Sequence, residues 1–192
     1  MKFLVVVEVS KLSTNIYVIH NFVEKDNIKE IINFANSLND KDWYLDDPQA
    51  DAKNFFYGKN CNIINPKVLH KVNKKIKLLS DAWYTTKLQL HRYLPGDFIT
   101  KHKDNQGSLS KHKDAYCYYG LVLYYNDDYI GGEIQYPELG ITYKPISGDL
   151  VIHGSDIVHN TTEVKENIRY FSTSFLWNKK DSPVKLNPKI FV

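Results

Sequence analysis

The sequence predicts a mainly β protein with flanking helices, a double-stranded β-helix (jelly roll) supported by N-terminal α-helices. Two observations carry that expectation. Eight short β-rich runs separated by turn residues crowd into residues 86–178, and two segments with helical spacing precede them. A chain of 192 residues is long enough to bury one such core. The expected organisation is a single domain, 1–192, with N-terminal strands and supporting helices in 1–85, the jelly roll in 86–178, and a C-terminal tail, 179–192, lying loosely across the surface.

Residues 2–9 and 15–21 read as strands, rich in Val, Ile and Tyr with a polar break between them. The apolar start is interrupted by Glu8 and Lys11, too short for a membrane span and without a small-residue cleavage site. From Glu24 to Leu38, the positions Ile28, Ile31, Ile32, Phe34, Ala35 and Leu38 recur near helical spacing and predict an amphipathic helix packed on a sheet. Residues 40–60 mix polar and aromatic groups without a period, and are expected to be irregular with short strands. Asn65-Pro66 signals a helix start, a capping side chain followed by proline at the first helical position. Val68, Leu69, Val72, Ile76, Leu79 and Trp83 then mark one face of a helix running to about Tyr84, with Lys71, Lys74, Lys75 and Lys77 largely on a solvated opposite face.

Beyond Thr86 the candidate strands are residues 87–93, 98–104, 116–125, 133–136, 140–143, 149–153, 157–163 and 168–177. They are separated by Pro95-Gly96, Asn126-Asp127-Asp128, Gly131-Gly132, Ser147-Gly148 and Glu166-Asn167, residues that turns select.

Composition narrows the function classes. With 43% hydrophobic and 24% charged residues the chain is an ordinary globular protein. A net charge of +3 gives no argument for nucleic acid, which calls for a concentrated basic face, and no membrane partner is indicated. Cys61 and Cys117 are the only cysteines and suggest free thiols in a reducing compartment, so an intracellular, cytoplasmic location is expected. Of the 25 basic residues only Arg92 and Arg169 are arginine. Lysine serves where charge alone is wanted, so an arginine at 169 suggests a position that needs the planar fork gripping a carboxylate at two points.

His102, Asp104 and His159 together offer two imidazoles and one carboxylate, the set that holds non-haem Fe(II) with open coordination positions. Residues two apart on a strand share a face, so His102 and Asp104 are expected to aim together into the barrel mouth. The tetrapeptide Lys101-His102-Lys103-Asp104 is repeated as Lys111-His112-Lys113-Asp114. The first copy follows the strand-forming Phe98, Ile99 and Thr100, whereas the second ends a polar stretch, so His102 and Asp104 are favoured and residues 105–114 are expected to form a loop. His153 competes with His159 and is expected to be a packed histidine near the site. His20, His70 and His91 have no partner pattern and are read as structural or surface groups.

Arg92-Tyr93-Leu94-Pro95-Gly96 ahead of His102, Leu123-Tyr124-Tyr125-Asn126-Asp127 followed by Gly131-Gly132-Glu133, and Gly148-Asp149 followed by His159, Arg169 and Tyr170 resemble the Fe(II)/2-oxoglutarate-dependent dioxygenases, in their prolyl 4-hydroxylase-like branch. The resemblance spans residues 88–177. It implies that His102, Asp104 and His159 ligate iron and that Arg169 binds the distal carboxylate of 2-oxoglutarate, with Tyr93 and Thr173 lining the cosubstrate pocket. It also implies O2 as oxidant, ascorbate as a reductant, and decarboxylation of 2-oxoglutarate to succinate coupled to C–H hydroxylation. A prolyl or other residue of a peptide or protein is the implied substrate. Asn167 stands where the family usually has glycine, but asparagine tolerates left-handed backbone angles. Tyr125 replaces a usual leucine, and His153 an aromatic or apolar residue.

Three other readings compete: the same chemistry on a free amino acid or other small molecule, a cupin-like metal enzyme, which leaves Arg169 unexplained, and a non-catalytic jelly-roll binding module. A nucleic-acid demethylase of the same cofactor class should carry a second arginine in the closing block, and none is there. Residues 43–60 and 105–114 are expected to flank the mouth, where binding groups commonly sit.

Overall fold

The computed structural model describes residues 8–44, 59–61, 66–106 and 114–187. In chain order they form β1 (Val9–Ser13), β2 (Ile16–Ile19), α1 (Lys25–Ser37), β3 (Trp43–Tyr44), β4 (Lys59–Cys61), α2 (His70–Ile76), β5 (Tyr84–Thr85), β6 (Gln89–Tyr93), β7 (Ile99–His102) and β8 (Ala115–Tyr124). There follow β9 (Ile130–Gly131), β10 (Ile134–Tyr136), β11 (Ile141–Tyr143), β12 (Leu150–Gly154), β13 (His159–Thr161), β14 (Val164–Glu166) and β15 (Arg169–Lys179). The major antiparallel sheet runs β1-β2-β12-β8-β15-β6-β4-β3, with β5 also on β15. A minor sheet runs β11-β10-β13-β7, and β9 pairs with β14. The protein is mainly β, and these sheets are those of a jelly roll.

Side-chain alternation sorts the central strands into two faces. Leu90, Leu121, Leu123, Leu150, Ile152 and Leu176 point to one side, where Ile31 and Ala35 of α1 and Val72 and Ile76 of α2 pack on them. The intervening residues Tyr93, Tyr124, Val151 and Phe171 point to the other side and pack with Ile134 and Tyr136 of the minor sheet. Each fully buried aliphatic or aromatic side chain contributes about 1.5–3 kcal/mol of burial. That contribution forms α1: a helix of 13 residues is marginal alone, and Glu24 at its N-cap makes no side-chain capping bond.

Four sequence expectations change. The strand expected at 2–9 falls largely outside the described residues; β1 instead occupies 9–13, and the hairpin turns at Asn15, whose φ is 62°. The helix expected from 65 to 84 is a 3-10 turn, Lys67–Leu69, leading into an α2 that stops at Ile76, with Pro66 just ahead of the turn and Trp83 exposed. The cause is the C-terminal segment. Asn187 N–H donates to Leu79 O (2.7 Å), Lys185 N–H donates to the Asp81 carboxylate (2.7 Å), and Asp81 N–H donates to Lys185 O (3.1 Å), drawing the chain after Leu79 into extended pairing. For the same reason the described part of the tail, residues 179–187 with Val184 buried, is fastened rather than loose. Finally, the strand expected at 157–163 divides into β13 and β14.

His20 is structural, as expected: it bonds Ser10 Oγ (2.9 Å) and Asp149 Oδ1 (2.9 Å), tying the N-terminal hairpin to the turn before β12. His70 is exposed. Among the described residues no helix is long and apolar enough to cross a membrane.

Candidate active site

His159 of β13 is the cross-strand partner of His102 of β7, which brings the two imidazoles together with ring centroids 4.2 Å apart. Asp104 reaches them by a different route from the one expected. β7 ends at His102, and Asp104 opens a 3-10 turn, so a turn rather than strand alternation aims its carboxylate. That turn is docked by Asn105, whose N–H donates to Ser155 O (3.1 Å) and whose amide donates to Tyr116 Oη (2.9 Å).

The three candidate ligand atoms lie within 4.8 Å of one another. His102 Nδ1 is 2.8 Å from Thr100 O and His159 Nδ1 is 3.0 Å from Ile157 O. A carbonyl only accepts, so each Nδ1 carries the proton and each Nε2 presents its lone pair. Those lone pairs face Asp104 Oδ1 at 3.6 and 3.7 Å, beyond hydrogen-bond length. Burial lowers the His102 pKa and, with His153 alongside, brings that of His159 down to about 3. Burial raises the Asp104 pKa, but the His153 hydrogen bond and the surrounding imidazoles outweigh it and hold the group below its ordinary value. Two neutral imidazoles and a carboxylate converging without a proton between them make a donor set that fits a divalent cation.

His153, expected as a packed histidine, does more than pack. It is buried, its Nε2 lies 2.9 Å from Asp104 Oδ2, its Nδ1 lies 3.1 Å from Tyr136 Oη, and its ring is 4.1 Å from that of His159. Counting by twos from the inward-facing Val151 of β12 places His153 inward too, the one sequence signal that points to it. Gly120 of β8 lies opposite His153 and had no signal at all.

Arg169, at the start of β15, is fully enclosed. Its guanidinium carbon lies 5.1 Å from the rings of Tyr93 and Tyr124 and 4.2 Å from that of Phe171. Arg169 Nε and Nη1, Tyr124 Oη and Tyr129 Oη are buried without a well-aligned hydrogen bond among the described residues, although both hydroxyls stand close enough to the guanidinium to interact with it. Burial pushes the Tyr124 and Tyr129 phenols up, so they stand as hydroxyl donors. Buried donors left unsatisfied each cost about 1–3 kcal/mol, and a buried cation costs more; the chamber therefore fits an anion with several acceptor oxygens. Gly132, at φ 66°, closes one wall, and a Cβ there would lie 3.0 Å from Arg169 Cδ.

Tyr93 thus stands in the Arg169 chamber. Thr173 shares the inward parity of Arg169, with its hydroxyl 2.8 Å from His91 Nε2. His91 is buried and stacked on Phe171 at 4.7 Å, a structural group as expected. His112 lies outside the described residues, and Asp114 is exposed ahead of β8, apart from the cluster. Trp43, expected near the mouth, is buried on the helix side under Arg92, and the rest of that loop, 45–58, lies outside the described residues.

The family model described as the 2OG-Fe(II) oxygenase superfamily matches residues 88–177. A protein of Acanthamoeba polyphaga mimivirus that carries a provisional prolyl 4-hydroxylase name is 23% identical over 145 residues, which are 71% of this chain and 59% of that protein. This chain thus matches rather more than half the length of that relative. The fold is shared with the viral collagen prolyl hydroxylase of Paramecium bursaria Chlorella virus-1, solved as a 2-oxoglutarate complex, at TM-score 0.65 and 16% identity over 85% of this chain and 96% of that one. It is shared as well with a Trichoplax adhaerens prolyl hydroxylase solved with a hypoxia-inducible-factor peptide fragment, at TM-score 0.64 and 15% identity over 85% and 84% of the two chains. The stretch that resembles the 2OG-Fe(II) oxygenase superfamily, residues 88–177, is the one that supplies both the His102–Asp104–His159 cluster and the Arg169 chamber.

Proposed function

We propose that this protein is an Fe(II)- and 2-oxoglutarate-dependent hydroxylase acting on a prolyl or other residue of a peptide or protein. The observation that carries the reading is the enclosed Arg169, with no carboxylate in ion-pair reach among the described residues, beside the converging His102–Asp104–His159 cluster. His102 Nε2, Asp104 Oδ1 and His159 Nε2 would hold the metal. Arg169, with the Tyr124 and Tyr129 hydroxyls, would take the distal carboxylate of the cosubstrate. Tyr93 and Phe171 would wall the chamber against water, and Thr173, held by His91, would line the pocket further along the same face of β15. Bound iron and 2-oxoglutarate supply the O2-dependent decarboxylation to succinate and carbon dioxide that is coupled to hydroxylation of an unactivated C–H bond. The protein contributes orientation: the Thr100 and Ile157 carbonyls fix both ring tautomers, and the docked turn holds the carboxylate. The mimivirus relative's name and the peptide in the Trichoplax structure support a peptidyl proline as substrate. The free, buried thiol of Cys117 accords with a reducing, cytoplasmic setting.

The test incubates the protein with Fe(II), ascorbate, 2-oxoglutarate and air, in parallel with proline-containing peptides and with free L-proline. Succinate release together with a one-oxygen mass gain on a peptide is expected. Absence of turnover, combined with absence of metal-dependent 2-oxoglutarate binding, overturns the reading.

A further inference from the structure

We infer that His153 is a positioning residue that holds Asp104 as a one-oxygen ligand, through a Tyr136–His153–Asp104 relay for which Gly120 makes room. The inference rests on the iron-binding role proposed above for the cluster.

The two oxygens of Asp104 have different surroundings. Oδ1 faces His102 and His159, at 3.6 and 3.7 Å, whereas Oδ2 lies 2.9 Å from His153 Nε2. An ionised carboxylate accepts and cannot donate, so the proton of that bond sits on Nε2. Nδ1 lies 3.1 Å from the Tyr136 hydroxyl, which fixes the other edge of the ring. His153, Tyr136 and Asp104 are all enclosed, so little competes with either bond. A carboxylate that grips a metal with both oxygens fills two coordination positions. With Oδ2 tied to His153, Asp104 fills one, and the site keeps the open positions that its chemistry needs.

Gly120 is the structural counterpart of this bond. It is the register partner of His153, and a Cβ built on it would lie 2.0 Å from Asp104 Oδ2 and 2.6 Å from His153 Nε2. Its φ is not left-handed, so the position needs the missing side chain rather than backbone freedom. Any other residue at 120 would drive the two bonded groups apart.

The experiment measures metal binding by the full-length chain, with Mn(II) by calorimetry and with Co(II) by visible absorption, neither of which depends on turnover. His153→Phe keeps a ring and removes the donor. It should weaken Mn(II) binding roughly 10- to 100-fold, the range for lost support of a metal ligand, and alter the Co(II) spectrum. His153→Gln returns an N–H near the Nε2 position and should recover most of the affinity and the wild-type spectrum. Gly120→Ala should mimic His153→Phe, and Tyr136→Phe should give a smaller loss in the same direction. If His153→Phe does not fold, the Gly120→Ala and Tyr136→Phe variants read the same bond. Wild-type affinity and spectrum in His153→Phe or Gly120→Ala, or a Gln variant as weak as the Phe variant, overturns the inference. A wild-type protein that binds neither metal, or binds both as tightly after His102→Ala, overturns the proposed function instead.

Discussion

Arg92 and Arg169 sit on neighbouring strands, with Tyr170 paired to Arg92 and Arg169 paired to Tyr93, yet they look to opposite sides of one sheet. Arg92 finds its counter-charge within the protein: its guanidinium reaches Asp40 at 2.5 Å and lies 4.6 Å over the Trp43 ring, although its Nε is buried without a hydrogen-bond partner among the described residues. Arg169 is enclosed by aromatic rings, and among the described residues no carboxylate stands within ion-pair reach of it. A buried cation without an internal counter-charge is tolerated where a ligand supplies that charge. The comparison extends to the two faces of β6, β8, β12 and β15. The helix side is packed with leucines and isoleucines, and the jelly-roll interior gathers the His102–Asp104–His159 cluster and Arg169.

If the faces divide stability from binding in this way, mutations on each should report separately. The largest effect is expected on the helix side, where Leu121→Ala should cost about 2–5 kcal/mol of unfolding free energy, read from urea denaturation. Its affinity for 2-oxoglutarate in the presence of Mn(II) should stay within about twofold of wild type; a greater loss would show that the faces are coupled. On the inner side, Arg169→Lys keeps the charge and removes the fork. Losing one charge-assisted hydrogen bond is worth about 1.5–3 kcal/mol, roughly a 10- to 150-fold weaker 2-oxoglutarate affinity by calorimetry, with metal affinity unchanged. Arg92→Lys should do the reverse, leaving cosubstrate affinity alone and costing up to about 1 kcal/mol of stability, because Asp40 is largely exposed. Equal losses of cosubstrate affinity in the two lysine variants would erase the distinction between the arginines.

Features set by neighbours in the chain were readable in advance, and features set by distant partners were not. The β-rich runs expected at 116–125 and 168–177 form β8 and β15, because their strand-forming residues and bounding turns are local signals. Asn167, flagged as a residue that tolerates left-handed angles, adopts φ 60°. By contrast, the length of α2 is decided by the bonds of 185–187 to the chain after Leu79, a competition more than 100 residues apart in sequence. Asp104 reaches the cluster by a route that the sequence did not show: alternation put it beside His102, whereas a turn fastened to Ser155 delivers it. His153 read as packing because its partners, Asp104 and Tyr136, lie 49 and 17 residues away. A glycine at 120 carries no pattern; only the close approach of two side chains gives it meaning.

The inner face should also reveal itself through pH, by an effect of about 1.4 kcal/mol per pH unit for each proton involved. His91 is stacked on Phe171, and burial, followed by the charge of Arg169, lowers its pKa from 6.5 to about 3. In the unfolded chain the same imidazole takes a proton below about pH 6.5. Between pH 6.5 and 3, then, the unfolded state binds a proton that the folded state refuses. The stability that depends on keeping this ring neutral is complete above pH 6.5 and is lost as pH falls towards 3. His159 contributes to the same window in the metal-free protein. His91→Phe preserves an aromatic ring against Phe171 and removes one titrating group, so the slope of unfolding free energy against pH in metal-free protein should fall by about 1.4 kcal/mol per unit while a residual slope persists. The change in slope is the informative quantity, because the Thr173 hydroxyl loses its His91 partner in the variant and absolute stability shifts at every pH. An unchanged slope between pH 4 and 6 would mean that His91 is already protonated in the folded protein, and that the interior beside Arg169 accommodates a second positive charge.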